Sequence, residues 1–537
     1  MSGSIFCCLI AFLSLTLNAA ANSEASAVKK EAVADRSPSS RSGSAMTAES
    51  KNRQELVEAL KLVKVGRFQD ASIKLFQLSH NPRFRDRKMQ VKYLLGLMLY
   101  QMKMPQIAAF QFISVIKDGN NKYLRQALEK LSLAADSLGD DTLLNYAISR
   151  VKVDDFPRVH RDMLFYRIGE FQLRNQQFAE AIESFKRVAN TSSLFPRAKY
   201  LEGLASSENG KSKEAYSAFD ELVEARERYG VTDVSRVSGL IGKARVLYQA
   251  KKWDEAIEGY RQIPRDTPAW HDTLFESSWA MLRSGRFRSA LSNFHSLHSD
   301  YYEDRYLPES LLLRSIVYLY ICKYDEMEKV LNLFNQIYKS VYRDVVNFLK
   351  TSAPDQYFSE TVSSLKEWRE SGDNPVKESQ HRIPLIVARK IFKEGDFLRS
   401  YAYIKKLLAE KALIEKMEPG WKNSALGRYA KRIVQKRLIK ARKRTGLQIR
   451  GHLDAIREDL FDLFEQEGFI RYEMINGKKE SLKKKLAGKD LPEQAQVDED
   501  TERDYYIQNG FEYWPFRGEY WLDELGNYHY VGTQSCN

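Results

Sequence analysis

Residues 169–188 read GEFQLRNQQFAEAIESFKRV, and the spacing inside them recurs along the chain. Small Gly169 is followed nine residues later by Phe178, then by Ala181, Phe185 and Val188. The same spacing returns as Gly203, Ser212, Ala215, Phe219 and Leu222. It returns again as Ala244, Trp253, Ala256, Tyr260 and Ile263, and as Ser278, Phe287, Ala290, Phe294 and Leu297. Earlier copies are Ala59, Phe68, Ala71, Leu75, Leu78 and Gly96, Pro105, Ala108, Phe112, Val115. A later one is Ser315, Tyr324, Met327, Leu331, Phe334. The anchors Ala71, Ala108, Ala147, Ala181, Ala215, Ala256, Ala290 and Met327 recur every 34 to 41 residues. A period of that length marks a helical solenoid.

The physical unit is a helix pair. The first helix needs a small residue where the second crosses it closely. The second needs a small residue facing back and large apolar ones a turn away. A short turn joins them, as at Arg283-Ser-Gly-Arg-Phe or Ala250-Lys-Lys-Trp. One pair cannot bury its apolar face alone, so copies stack and leave a concave groove. The pattern resembles the tetratricopeptide repeat (TPR) family over about half the chain, in seven or eight degenerate copies. That resemblance implies an all-α solenoid and a protein-binding scaffold, and it does not specify the ligand. The alternative is an irregular helical bundle.

The chain has 537 residues, enough for two or three domains or one long solenoid with additions. Its 43% hydrophobic and 29% charged residues are ordinary for a soluble protein. Tyr (29) and Phe (27) are abundant and suit the apolar knobs of the repeat. The formal net charge of +13 raises the question of anionic partners.

Ile5 to Leu17 is a short apolar run followed by Ala19, Ala20 and Ala21. This reads as a signal peptide over residues 1–21, cut after Ala21 and too short to span a bilayer as a mature helix. The expected location is outside the cytoplasm, in the periplasm of a Gram-negative cell. An uncleaved anchor is the alternative. Residues 22–51, rich in Ser, Ala and charge, are an expected flexible tether. The solenoid is expected over 52–342 and an irregular helical continuation over 343–420. Long basic helices are expected over 421–490, then an acidic linker and aromatic tail over 491–537. Ile449, Leu453, Ile456, Leu460 and Leu463 alternate four and three apart, a heptad seam that Ile470 and Met474 continue. It predicts one or two long helices, broken if at all at Gly446, packing back in cis in preference to an intermolecular coiled coil. Gly526-Asn527 predicts the turn of a small aromatic hairpin between Tyr520-Trp521 and Tyr528-Tyr530.

Removal of the leader takes Cys7 and Cys8 and leaves Cys322, inside a repeat helix, and Cys536. The expected state is a buried free Cys322 and an unattached Cys536, although one disulfide between them is allowed. No C-x-x-C pattern, Gly-rich phosphate loop, G-x-S-x-G elbow or H-E-x-x-H stretch is present.

Three constellations remain. Arg428, Lys431, Arg432, Lys436, Arg437, Lys440, Arg442, Lys443 and Arg444 form a basic block without Asp or Glu. It would serve as a solvated helix face, or bind anionic headgroups or an acidic protein surface. Nucleic acid is not the expected target of an exported chain. Trp514, Phe516, Tyr520 and Trp521 lie beside Glu519, Asp523 and Glu524. Aromatics next to carboxylates suit sugar rings, and docking of the tail back onto the chain is the leading expectation. His295 and His298, three apart with His271 upstream, have spacing that could bring two imidazoles to one metal, but no motif supports it.

The reading is an exported, non-enzymatic scaffold of the cell envelope without metal or cofactor. It would bind envelope or secreted proteins in the groove through Tyr166, Lys199, Arg236 and Arg314. The alternatives are a glycan-binding or glycan-acting periplasmic protein, or a peripheral membrane adaptor using the basic helix. The order of leader, repeats, basic helices and the segment Trp514–Leu525 also looks like the exported TPR proteins of adventurous gliding motility in deltaproteobacteria. That resemblance implies a role in envelope assembly.

Overall fold

A computed structural model describes residues 45–119, 122–139, 142–148, 161–224, 233–302, 306–371 and 382–486, with 525, 526 and 528. Among these the chain is α-helical with short turns and two 3-10 segments, and no strand occurs. It divides into two compact units, Met1–Arg161 with Leu398–Arg444, and Asp162–Phe397 with Thr445–Asn537.

In the second unit the helix pairs run Arg161–Arg174/Phe178–Lys186, Phe195–Glu208/Ser212–Glu224, Asp233–Gln249/Trp253–Arg261, Trp270–Arg283/Phe287–Leu297 and Pro308–Tyr320/Tyr324–Thr351. Each helix packs mainly on its neighbours in sequence, as a TPR-like solenoid requires. The first unit is built the same way from Ala45–Lys64/Phe68–His80, Lys88–Gln101/Pro105–Lys117 and Leu124–Leu138/Thr142–Ile148. All eight anchors, from Ala71 to Met327, are 0% exposed.

The small residue of each first helix has a direct cause. A Cβ placed on Gly96 would lie 2.6 Å from the Phe112 ring, on Gly169 2.6 Å from Phe185, and on Gly203 2.7 Å from Phe219. Phe219 is held from its other side as well, since a Cβ on Gly242 of the next pair would come within 2.6 Å of it. One ring therefore joins the helices of its own pair to those of the following one.

The turns within the pairs are equally regular. Gly66, Lys103, Gln176, Gly210, Lys251, Gly285 and Cys322 have φ between 55° and 79°. Each stands two residues before the second helix begins. In all seven, the next residue's N–H donates to the carbonyl five residues back at 2.8–3.0 Å, as Arg67 does to Leu62. This left-handed cap satisfies the last carbonyls of the first helix and reverses the chain. The pair that breaks the rule, Leu124–Leu138/Thr142–Ile148, has its left-handed residue at Gly139, φ 69°, three residues before the second helix begins.

Two expectations are corrected. Cys322 is neither free nor inside a helix: it occupies the left-handed turn after Pro308–Tyr320, half-buried, and is disulfide-bonded. Cys7, Cys8 and Cys536 lie outside the described residues. Nor does Gly446 interrupt the chain: Ala425–Leu486 is one helix of 62 residues. Apolar neighbours on the same face, Leu438, Ala441 and Ile449, are buried and carry the helix across the glycine.

The heptad seam packs in cis. Ile449, Leu453, Ile456 and Leu460 are buried, and Phe464 meets Phe334 and Tyr342 with ring centroids 5.1 and 5.7 Å apart. Asn335 Nδ2 donates to the buried Glu467 at 3.0 Å, and Lys478 bridges Asp325 (2.9 Å) and Glu328 (2.7 Å). The helix Tyr324–Thr351 is thus the surface on which this part of the long helix lies. His452 Nε2 sits 3.0 Å from Asp396, adding a polar contact near the start of the seam.

In the first unit the corresponding closure is made by Trp421. Its side chain is buried, and its Nε1 donates to Ser72 Oγ at 3.0 Å. Tyr429 packs against Phe76 with centroids 5.5 Å apart.

Candidate functional site

In a stacked-pair architecture the side chains available to a partner are those of the first helices that packing does not consume. The four residues expected to line the groove fall on four of the five first helices of the second unit, with none on Trp270–Arg283. Arg236 is half-buried on Asp233–Gln249. Tyr166 is buried against Phe185, with the Arg167 guanidinium 5.5 Å from its ring. Burial, followed by the charge of Glu170, pushes its hydroxyl up to about 12.

Lys199 reaches Glu202 at 2.9 Å and Glu221 of the second helix at 3.0 Å. Burial alone would depress the ammonium, but the two carboxylates outweigh it and hold the pKa above its ordinary value. Arg314 donates through Nη1 to His298 Nδ1 at 3.2 Å and through Nη2 to the Tyr318 hydroxyl at 3.3 Å. Burial first, then Arg314, keeps His298 neutral far below the usual imidazole range. Its Nε2–H faces Ser310 Oγ at 2.8 Å, and that hydroxyl donates to the Leu307 carbonyl at 2.7 Å.

These contacts belong to a polar ladder that crosses from pair to pair. Lys243 binds Asp220 of the preceding pair. Arg245 holds Glu276 of the following first helix through two bonds, at 2.6 and 2.9 Å. The Tyr260 hydroxyl donates to the same carboxylate at 3.0 Å. Beside this ladder lies a cleft of about 420 Å³, lined by Tyr216, Leu240, Lys243, Leu247, Glu258 and Arg286 among others. Sequence reasoning missed the ladder and the cleft. Acid and base residues on different pairs give no local signal of which will meet.

The imidazoles do not converge on a metal. Both nitrogens of His298 are engaged inside the protein, and burial, then Arg314, pushes His295 down to about 4. Among the described residues no group of three His, Cys, Asp or Glu side chains could hold a metal ion.

Of the basic block, Arg428, Arg432, Lys436, Lys440 and Lys443 are exposed and share one face of the long helix at successive turns. Lys431 pairs with Glu415 at 3.1 Å, and the Arg437 guanidinium lies 4.8 Å from the Phe110 ring. Arg442 and Arg444 are exposed on other faces. Ile439, 58% exposed, projects from the same face as Lys436 and Lys443. No helix among the described residues is long and apolar enough to cross a membrane.

Trp514, Phe516, Tyr520 and Trp521, with all of the expected hairpin strands except Tyr528, lie outside the described residues. The described part of the tail rests on the second unit. Leu525 is buried, the Gly526 N–H donates to Ser296 Oγ at 2.7 Å, and Tyr528 meets His295 edge-on at 4.5 Å. Gly526 is required twice over: its φ is 85°, and a Cβ would lie 2.8 Å from Trp270.

The chain matches no protein-family model and no curated protein. Among solved structures it is similar to a tetratricopeptide repeat protein from Parabacteroides merdae, with 12% identity, 53% of this chain and 93% of that chain covered, and a TM-score of 0.23. It is also similar to the TPR domain of P58(IPK), with 13% identity, 73% and 98% covered, and a TM-score of 0.18. The description as a TPR-like helical-repeat chain rests on the recurring small-to-aromatic contact and the recurring left-handed turn.

Proposed function

We propose that this chain is an exported protein-binding scaffold of the cell envelope. Extended segments of partner proteins dock along the first helices of the second unit. The observation that carries the reading is the run of five helix pairs, with a polar ladder crossing from pair to pair and a cleft beside it lined by both helices of a pair. Such a surface offers charged and aromatic contacts to an extended segment.

Export is supported by the apolar leader ending at Ala21 and by the disulfide at Cys322, because disulfides persist in oxidising compartments. A role in envelope assembly like that of the exported gliding-motility TPR proteins is the narrower form of this proposal, supported by the segment Trp514–Leu525.

The test is a photo-crosslinking residue placed at Arg236, beside the polar ladder, and a control at exposed Glu183. Capture of the same envelope protein at position 236 and not at 183 is expected. Equal capture at both positions, or none at either, overturns the groove reading. Export is tested on its own by fractionation and N-terminal sequencing, with Asn22 expected as the first residue of the periplasmic form.

A second reading is favoured by Ile439 projecting from the Arg432, Lys436 and Lys443 face. An exposed apolar side chain among cations suits an anionic lipid surface. It makes the first unit a peripheral membrane contact and leaves the second free to bind protein.

A further inference from the structure

The long helix Ala425–Leu486 uses one seam to pack in cis and carries another on a different face. Phe461, Gly468, Ile475 and Leu482 fall every seven residues, and Tyr472 lies four after Gly468. This is heptad spacing, turned roughly 130° away from the buried Leu453, Ile456 and Leu460. The side chains are large and in solvent: Phe461 is 50% exposed, Tyr472 61%, Ile475 55% and Leu482 59%, with Phe469 beside them at 74%. Nothing lies within 4 Å of the place a Cβ on Gly468 would occupy, so another backbone can approach there. Single exposed apolar residues are ordinary, but four along one stripe with a fifth beside it mark an interaction surface.

Charge along the same stretch selects the occupant. Residues 458–467 hold five carboxylates and no Lys or Arg, whereas residues 478–485 hold five lysines and one glutamate. A parallel copy would set like charge against like. An antiparallel copy sets the acidic end of each helix against the basic end of the other. Glu467 and Lys478 are already engaged within the chain, and exposed Glu465 and Lys479 stand on the stripe itself.

We propose that this face pairs with the same face of a second copy of the chain, the two helices antiparallel about a two-fold axis near Tyr472. Such an isologous contact is self-complementary in shape and charge. It is separate from the docking of partner segments, so either can fail alone.

The test is sedimentation equilibrium of the full mature chain across a micromolar range, with the double variant Tyr472→Asp, Ile475→Asp beside it. A dimer is expected for the wild type. A monomer is expected for the variant, with an unchanged circular dichroism spectrum and melting temperature, because both side chains are exposed. Orientation is read by mixing Phe461→Cys and Leu482→Cys copies with a short bis-maleimide. A 461–482 link between copies is expected. In a parallel pair those positions would be about 30 Å apart, and 461–461 links would form instead. A wild-type monomer, a variant that remains dimeric, or 461–461 links overturn the proposal. So does cross-linking of the stripe to the chain's own residues 505–524 within a monomer.

Discussion

The Glu410 carboxylate accepts the backbone N–H of Gln106 at 3.1 Å and of Ile107 at 3.2 Å, capping the helix Pro105–Lys117 from 304 residues away in sequence. The N-terminal N–H groups of a helix need such an acceptor when water is excluded. The adjacent Tyr403 hydroxyl donates to the Gln106 side chain at 2.5 Å.

A pH dependence follows from this cap. Burial raises the Glu410 pKa to about 8, outweighing the two N–H bonds that lower it. The folded state therefore holds a proton that the unfolded chain releases near pH 4.5. Stability linked to this group is present below that pH and is lost as pH rises toward 8. The melting temperature of the wild type is expected to fall over that window, by on the order of a few kcal/mol in stability at most. Glu410→Gln is expected to flatten the profile, measured by thermal unfolding at closely spaced pH values.

Phe219 between Gly203 and Gly242 yields a second prediction. Gly203→Ala forces a methyl to within 2.7 Å of a buried ring, with cost of about 1–3 kcal/mol from overpacking. Phe219→Ala opens a cavity at the junction of two pairs and is expected to cost about 3–5 kcal/mol. Combining Gly203→Ala with Phe219→Leu should recover part of the first loss. Denaturant unfolding of the three variants checks the order.

The left-handed turns carry the opposite sign. Gln176 and Lys251 have φ of 59° and 60°, where a side chain is disfavoured and glycine is not. Gln176→Gly and Lys251→Gly are each expected to stabilise the chain by about 0.5–1 kcal/mol, and Gly285→Ala to destabilise it by a similar amount. The contrast with ordinary glycine substitutions, which weaken helices, identifies the turn as the cause.

Reduction probes Cys322. In a chain cut after Ala21, Cys536 is the cysteine left in the same molecule, so peptide mapping of the unreduced mature protein is expected to find Cys322 joined to Cys536. Cys322→Ser, or reduction of the wild type, should lower stability by about 2–4 kcal/mol. The effects should not add, and comparison of melting temperatures with and without reductant reads this directly.

The basic face gives a salt-dependent prediction. Vesicles containing anionic lipid should retain the wild type at low ionic strength and release it at high salt. Replacing Arg432, Lys436, Lys440 and Lys443 by Gln should abolish retention, while Ile439→Ser should weaken it with less effect on the salt slope. Co-sedimentation measures both.

Legibility followed sequence distance. The spacing from Gly203 to Phe219 is local, because the two helices that must touch are joined by one short turn. The pairing of small and large residues is therefore written into neighbouring positions, and the anchors from Ala71 to Met327 were found by spacing alone. The buried seam from Ile449 to Leu460 was legible for the same reason, since one helix repeats its face every seven residues. The turns were half legible: Gly210 and Gly285 announce a left-handed residue, whereas Lys103, Gln176 and Cys322 do not.

The amino-acid sequence by itself thus determined the repeat, its period and which side chains turn inward, since these rest on helix geometry within a few tens of residues. Only the tertiary structure decided what the surplus polar groups do. It brought Glu410 to Gln106, Trp421 to Ser72 and Arg245 to Glu276, set Gly526 against Trp270, and tied Lys199 and Arg314 into neighbours within the solenoid. The physical reason is that a buried polar atom must find some partner. The choice among the many acids, bases and amides of a long chain depends on how distant pairs stack, which no local pattern records.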